Sequence, residues 1–444
     1  MPGCVHWLDN AMHKLALLGG EPVRRHLFPP HNTIGPEEKQ AAQAVLDNGN
    51  LSQFLGAWSD DFYGGPKVQE FERAWAVHSQ TKLAYSVNSN TSGLFAAVGA
   101  CNIGPGDEVI VSPYTMSASA IAPVIYGAVP VFADIDPQTF CLDPASIEER
   151  ITARTKAILV VHIFGHPADM DAISALARRF NLYVIEDCAQ APASSYHGKS
   201  VGGLGDLGIF SLNYHKHIHT GEGGLVTTDN EDLAEKISLI RNHGENVVEE
   251  KGTKDLINTF GFNHRLTELQ AAIGIEQLKK LPGLTAIRRQ HTEFLNQHLG
   301  HFEGITPPYL AKDCVHSYYT QAFRYDPDIV GIPRDTFLQA LRAELPSSYG
   351  REKDSLIGGG YVRPLYLQPV YQKRAGKCAF NCPRYEGSVS YQSGLCPVTE
   401  RMHYSELFTL EYNRPGMTKT DLQDVMDGFE KVYRFREELR NWHA

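Results

Sequence analysis

The stretch 208-GIFSLNYHKHIHTGEGGLVTTD-229 decides how the rest of the chain reads. An apolar run ends near Ser211, a polar turn carries Lys216, and Gly221-Glu222-Gly223-Gly224 leads into a second apolar run. A lysine just past a buried strand end, in a turn that approaches a ligand closely, suits a Schiff-base role. Ser211 is placed to hydrogen-bond a phosphate on the same ligand. The plain alternative is a surface lysine in a hairpin.

Working outward, apolar β-rich runs recur at 82–87, 108–112, 129–135, 157–163, 182–186, 208–213 and 224–228. Helical patterns at 92–101, 117–126, 144–151 and 170–180 separate several of them. Strands that are apolar along nearly their whole length belong to a largely parallel sheet buried on both faces. The pattern therefore predicts an α/β chain with one large seven-stranded domain. Beyond about residue 230, amphipathic stretches at 232–242, 265–281 and 284–299 follow. Pro282-Gly283 predicts a break between the last two, at a domain boundary. A strand at 317–325 and helices at 334–345 and 419–440 form a second region, interrupted by an irregular insertion at 346–395. The expected division is an extension over 1–15, a large domain over 16–282 and a small domain over 283–444.

Two more segments carry chemistry. In 182-LYVIEDCAQA-191 the apolar run delivers Asp187 to the carboxyl end of a strand, where open α/β sheets bind ligands. A carboxylate there can keep a pyridinium nitrogen protonated, and Gln190 can reach a ring oxygen. Asp187 reads equally as a helix N-cap. In 86-SVNSNTSGL-94 a strand runs into a helix start, an anion site with the Thr91 and Ser92 hydroxyls beside it. An ordinary Ser/Thr cap is the alternative.

Composition excludes other classes. The 444 residues are 42% hydrophobic and 21% charged, enough apolar material for a core. With 41 basic against 51 acidic residues the net charge is −10, so the phosphate-neutralising excess of a nucleic-acid binder is missing. The uncharged-rich run 109–133 contains Pro113, Pro123, Gly127 and Pro130, which argues against a membrane span. The N-terminus shows no basic region ahead of an apolar core, so no signal peptide is read. Eight scattered cysteines fit free thiols in a cytoplasmic protein, and no zinc pattern surrounds Cys378 and Cys382. His215, His217 and His219 flank the lysine and are read as pocket-lining groups; no metal is expected.

The joint order of these segments resembles the DegT/DnrJ/EryC1/StrS family of sugar aminotransferases. The motifs GGPKVQEFE, NSNTSGL, GPGDEVIVSPYT, VIEDCAQA, IRNHGE and GFNHRLTELQAAIG carry the likeness, which runs from about Leu15 to the C-terminus. The resemblance implies fold type I of the pyridoxal-phosphate enzymes, with a seven-stranded mixed sheet and a smaller α+β C-terminal domain. It implies that Lys216 binds the cofactor covalently, Asp187 pairs with the pyridine nitrogen and Gln190 contacts the phenolic oxygen. Ser211, Thr91 and Ser92 would bind the phosphate, and Asn263 would reach the phosphate of a neighbouring subunit in a homodimer. Arg265 would serve substrate or interface. His162 would lie under the cofactor or be a satisfied core histidine. Met116 stands where the family has a stacking aromatic, and Tyr366 where it often has a sugar-proximal histidine. The loop 51–65, with Phe54, Trp58, Phe62 and Tyr63, is longer than usual. The implied reaction moves an amino group from glutamate or glutamine to a keto-sugar, expected to be carried on a nucleotide. A ketocyclitol aminotransferase, a pyridoxamine-dependent dehydratase and a non-catalytic regulator are the alternatives, and retention of Lys216 argues against the dehydratase.

Overall fold

The computed structural model describes residues 14–350 and 354–442, so most of the expected extension over 1–15 lies outside the described residues. The seven strands are β1 (Leu83–Val87), β2 (Glu108–Val111), β3 (Val129–Phe132), β4 (Thr155–Val161), β5 (Tyr183–Asp187), β6 (Leu207–Ser211) and β7 (Gly224–Thr228). Their order across the sheet is β1-β7-β6-β5-β4-β2-β3. Only β7 runs against its neighbours, pairing antiparallel with β1 and β6. The apolar runs become strands because both faces are covered: β2 and β6 are buried at every residue.

Helices on the two faces include α1 (Pro36–Asn48), α2 (Pro66–Ser79), α3 (Asn90–Ala100), α4 (Ala118–Ile125), α5 (Pro144–Arg150), α6 (Met170–Phe180) and α7 (Glu231–Arg241). β4, β5 and β6 run parallel, α6 connecting β4 to β5 and a helix-free segment connecting β5 to β6, so their carboxyl ends share one edge. Glycine permits the closest packing: a Cβ at Gly93 of α3 would sit 2.8 Å from Ile209 of β6.

The expected break at Pro282-Gly283 is absent. One 32-residue helix, α8 (Glu268–Leu299), runs through it. Thr267 and Gln270 form its capping box. Pro282 removes one donor to the preceding turn, yet Pro282 and Gly283 face solvent while Leu281 and Thr285 are buried beside them. The Thr285 hydroxyl donates to the Leu281 carbonyl at 2.8 Å. Packing on both flanks thus overrides a local breaker.

The C-terminal region has its own core. Strands β8 (Ile305–Thr306), β9 (Gln321–Tyr325), β10 (Ile357–Gly359) and β11 (Leu407–Leu410) form an antiparallel sheet in the order β8-β9-β11-β10. Helices α9 (Arg334–Glu344) and α10 (Lys419–Arg434) cover it with Phe337, Leu341, Val425 and Phe429. Leu15 and Phe28 insert into this core, and the buried Glu344 carboxylate ties the N-terminal segment down, accepting from the Ala16 and Val23 amides and Lys431.

The insertion at 346–395 is irregular, as expected, but much of it packs on the large sheet. Tyr366, Tyr371 and Tyr391 surround Phe132 of edge strand β3 at ring distances of 5.8, 5.3 and 5.5 Å. The Tyr391 hydroxyl donates to the Pro130 carbonyl, which helps close an otherwise open sheet edge. No helix among the described residues is long and apolar enough to cross a membrane.

Candidate active site

At the carboxyl edge of β5, Asp187 is buried and held from three sides. Its Oδ1 accepts from the Ala189 amide at 3.1 Å and Asn90 Nδ2 at 3.2 Å; its Oδ2 accepts from the Ser119 hydroxyl at 2.8 Å. Turns rather than a helix follow it, so it caps nothing. Such a carboxylate is fixed in direction and ready to face a cationic partner.

Lys216 lies in the turn after β6, its amide donating to the Asn213 carbonyl at 2.9 Å. The side chain is buried and Nζ sits 4.4 Å from the centre of the Tyr319 ring. Burial pushes the amine down to about 8, against the opposing pull of the Asp187 charge. His31 approaches the Lys216 carbonyl at 3.4 Å, and burial lowers that imidazole to about 3.

Ser211 ends β6 directly opposite Gly224. A Cβ on Gly224 would sit 2.8 Å from the Asn90 amide nitrogen, so glycine is what lets β7 pass the start of α3. That start is capped by Ser89, whose Oγ accepts from the Ser92 amide at 3.0 Å. The cap therefore lies three residues before the serine singled out in the sequence. The Ser92 hydroxyl is buried and already bonded to Asn88 and Ser89, whereas Thr91 is exposed. Asn90, a residue the sequence reading passed over, links this cradle to Asp187.

Gln190 is buried. Its Oε1 accepts from the Phe164 amide at 2.6 Å and its Nε2 donates to the Tyr361 hydroxyl at 2.8 Å. The segment with Asn263 and Arg265 lies against the same cradle in its own chain. The Asn88 amide donates to the His264 carbonyl at 2.8 Å, and Asn88 Nδ2 to the Asn263 carbonyl at 3.2 Å. Arg265 Nε donates to Asn263 Oδ1 at 2.8 Å, with the Asn263 side chain exposed.

Other expectations resolve differently. His162 is fully hydrogen-bonded in the core, as the second of its two readings expects. Its Nδ1 accepts from the Ala168 amide at 3.0 Å, which leaves Nε2 to donate to Glu186 at 2.9 Å. Strand alternation explains this, because Glu186 and Asp187 point to opposite faces of β5. His162, Glu186 and Cys188 cluster closely, but Glu186 also accepts from the Gly202, Leu204 and Gly205 amides and burial drives the thiol well up. His215, His217 and His219 do not converge: His217 bonds to the Ser317 carbonyl, His219 Nδ1 accepts from Gly221, and His215 is exposed. Met116 is 55% exposed. Tyr366 is buried at the sheet edge with its hydroxyl on Glu400. In the 51–65 loop, Trp58, Phe62 and Tyr63 pack edge to face on one another.

Ser119, Tyr319 and Tyr361 complete the site from distant parts of the chain. No local spacing ties residue 119 or 361 to residue 187 or 190, so only the folded sheet could bring them forward.

The site's likeness extends over nearly the whole chain. The spore coat polysaccharide biosynthesis protein SpsC of Bacillus subtilis is 36% identical over 419 residues, covering 93% of this chain and 98% of that protein. The GDP-perosamine synthase of Caulobacter vibrioides is 42% identical over 308 residues, 69% of this chain and 79% of that protein. The crystal structure of an aminotransferase from Psychrobacter cryohalolentis superposes with a TM-score of 0.78 at 31% identity, over 92% of this chain and 99% of that one. The sequence profile of the family matches residues 33–430. A buried lysine within electrostatic reach of a buried aspartate thus sits in a chain that belongs to the DegT/DnrJ/EryC1/StrS aminotransferase family, enzymes that use pyridoxal phosphate.

Proposed function

We propose that this aminotransferase moves the amino group of glutamine or glutamate to a keto-sugar carried on a nucleotide, acting in the cytoplasm as a homodimer. The observation that carries the reading is the buried Lys216 amine in the turn after β6, within electrostatic reach of the Asp187 carboxylate that Asn90 and Ser119 hold at the end of β5. The relatives named as GDP-perosamine synthase and as L-glutamine:2-deoxy-scyllo-inosose aminotransferase, the latter 33% identical over 437 residues from Streptoalloteichus tenebrarius, support the substrate class and the donor.

The residues present fit pyridoxal phosphate. Gly224 lets β7 pass close against the start of α3, beside Ser211, and a phosphate there would gain from first-turn amides and from the exposed Thr91 hydroxyl. Ser92 can join only by giving up its bond to Asn88. Asp187 would hold the pyridine nitrogen, Gln190 the phenolic oxygen, Lys216 the aldehyde carbon, and Asn263 the phosphate of the partner chain. When bound, the cofactor supplies an electron sink for the donor's Cα.

The chain's own groups do the rest. Ser119 and Asn90 aim the Asp187 carboxylate, whose charge would keep a pyridine nitrogen facing it protonated. Lys216 is a buried amine whose proton affinity is lowered by burial, and it would serve as the base that carries the donor's Cα proton. Tyr319 lies under Nζ and limits where that amine can move. We further assign residues 16–282 to a cofactor-binding domain and 283–444 to a smaller domain; a second core drawn mainly from residues 295–439 supports the division, while Leu15 and Phe28 reach into that core and α8 runs across the boundary.

The test is mass spectrometry with glutamine and, separately, glutamate labelled at the α-nitrogen, against a panel of nucleotide-linked keto-sugars and ketocyclitols. Label in an amino sugar is the expected result. Label confined to a cyclitol, or in no acceptor, contradicts the substrate assignment.

A further inference from the structure

The insertion that covers the sheet edge also sends one side chain into the active site. After β10 the chain turns at Gly360, whose φ is +67° and whose Cβ would fall 2.7 Å from the His403 carbonyl. Only glycine takes this left-handed turn without strain at such close approach. The turn delivers Tyr361. Its amide donates to the Tyr114 hydroxyl at 2.8 Å, and its ring packs edge to face on Phe164 at 5.2 Å.

The hydrogen-bond directions around Gln190 fix what the Tyr361 hydroxyl is doing. The Phe164 amide can only donate, so the oxygen of the Gln190 side chain faces it. The Gln190 nitrogen therefore faces Tyr361, and the tyrosine oxygen is the acceptor in that 2.8 Å bond. The phenol proton remains to be donated. Among the described residues no acceptor stands within hydrogen-bonding distance of it. Burial and the nearby Asp187 charge push this phenol up to about 12, so it keeps its proton through the neutral range. The other ionisable groups around it are Tyr114, also pushed up by burial, and His403, whose ring lies 5.9 Å from Tyr114 and which burial lowers.

We propose that Tyr361 donates its phenol proton to the phenolic oxygen of the bound cofactor, as a second donor beside Gln190. The inference rests on the assignment of Gln190 and Lys216 to that cofactor. Its physical consequence is electronic. A donor on the phenolic oxygen draws off negative charge, so the proton shared between that oxygen and the lysine-bound nitrogen is held less tightly.

The test uses the holoenzyme and the absorbance of the lysine-bound cofactor against pH. Tyr361→Phe keeps the ring packing and removes only the donor. It is expected to raise the protonation midpoint by about one pH unit, the scale of one hydrogen bond to a charged group. The same rise is expected when Tyr361→Phe is placed in a Gln190→Leu background. An unchanged midpoint in Tyr361→Phe with cofactor fully bound overturns the proposal. A rise that vanishes in the Gln190→Leu background also overturns it, because Tyr361 would then act only by orienting the glutamine. The underlying assignment fails separately, if Lys216→Ala retains the titrating band.

Discussion

A buried amine whose proton is loosened by burial is what a covalent cofactor site needs, and Lys216 has it. With its amine pushed down to about 8 by burial, Lys216 gives up its proton far more readily than a solvated lysine. The rate of covalent capture of pyridoxal phosphate by the apoenzyme should rise with pH and level off just above 8, followed by absorbance in a stopped-flow instrument. A rate still climbing at pH 10 would mean an ordinary, solvated lysine. Asp187 is predicted to matter through its charge: Asp187→Asn should keep the cofactor and lose at least about a hundredfold in rate, on the order of 3 kcal/mol in the barrier. Ser119→Ala removes one hydrogen bond to that carboxylate and should cost roughly tenfold. Steady-state rates at saturating donor decide both, and a Ser119→Ala enzyme slower than Asp187→Asn would reverse the ranking.

At the scale of elements, α8 yields a stability prediction. Gly283 is exposed within this helix, and a Cβ there would meet nothing within 4 Å. Gly283→Ala should therefore stabilise the protein by about 0.5–1 kcal/mol, read as a rise in thermal midpoint. A fall in the midpoint would show that the glycine relieves strain beside Pro282. The same helix marks where sequence reading stops. All seven strands were legible because each is an apolar run of strand length, and the positions of Asp187 at the end of β5 and of Lys216 in the turn after β6 were legible from the same runs. The Pro-Gly pair was misleading, since burial of Leu281 and Thr285 outweighs one missing donor. His162 was ambiguous in sequence because only the pairing of β4 with β5 decides that it meets Glu186. Ser119, Asn90 and Tyr361 could not be found at all, since their partners lie 68, 97 and 171 residues away.

For the whole molecule, the question is whether one chain completes the site of another. The Asn263 segment lies on the phosphate cradle of its own chain through Asn88, with the Asn263 side chain exposed. In a homodimer that side chain is proposed to serve the partner's phosphate. Asn263→Asp and Lys216→Ala should each be inactive alone. Mixed under subunit exchange they should recover about half the wild-type activity per heterodimer, because one of its two sites is intact. No recovery despite verified exchange would assign Asn263 to its own chain. The central claim, that Lys216 is the residue joined to the cofactor, meets its most direct measurement in borohydride reduction of the holoenzyme followed by peptide mass spectrometry. The account predicts a pyridoxyl-phosphate adduct on Lys216 and on no other lysine; an adduct on a different lysine, or none in an enzyme that still transaminates, would contradict it.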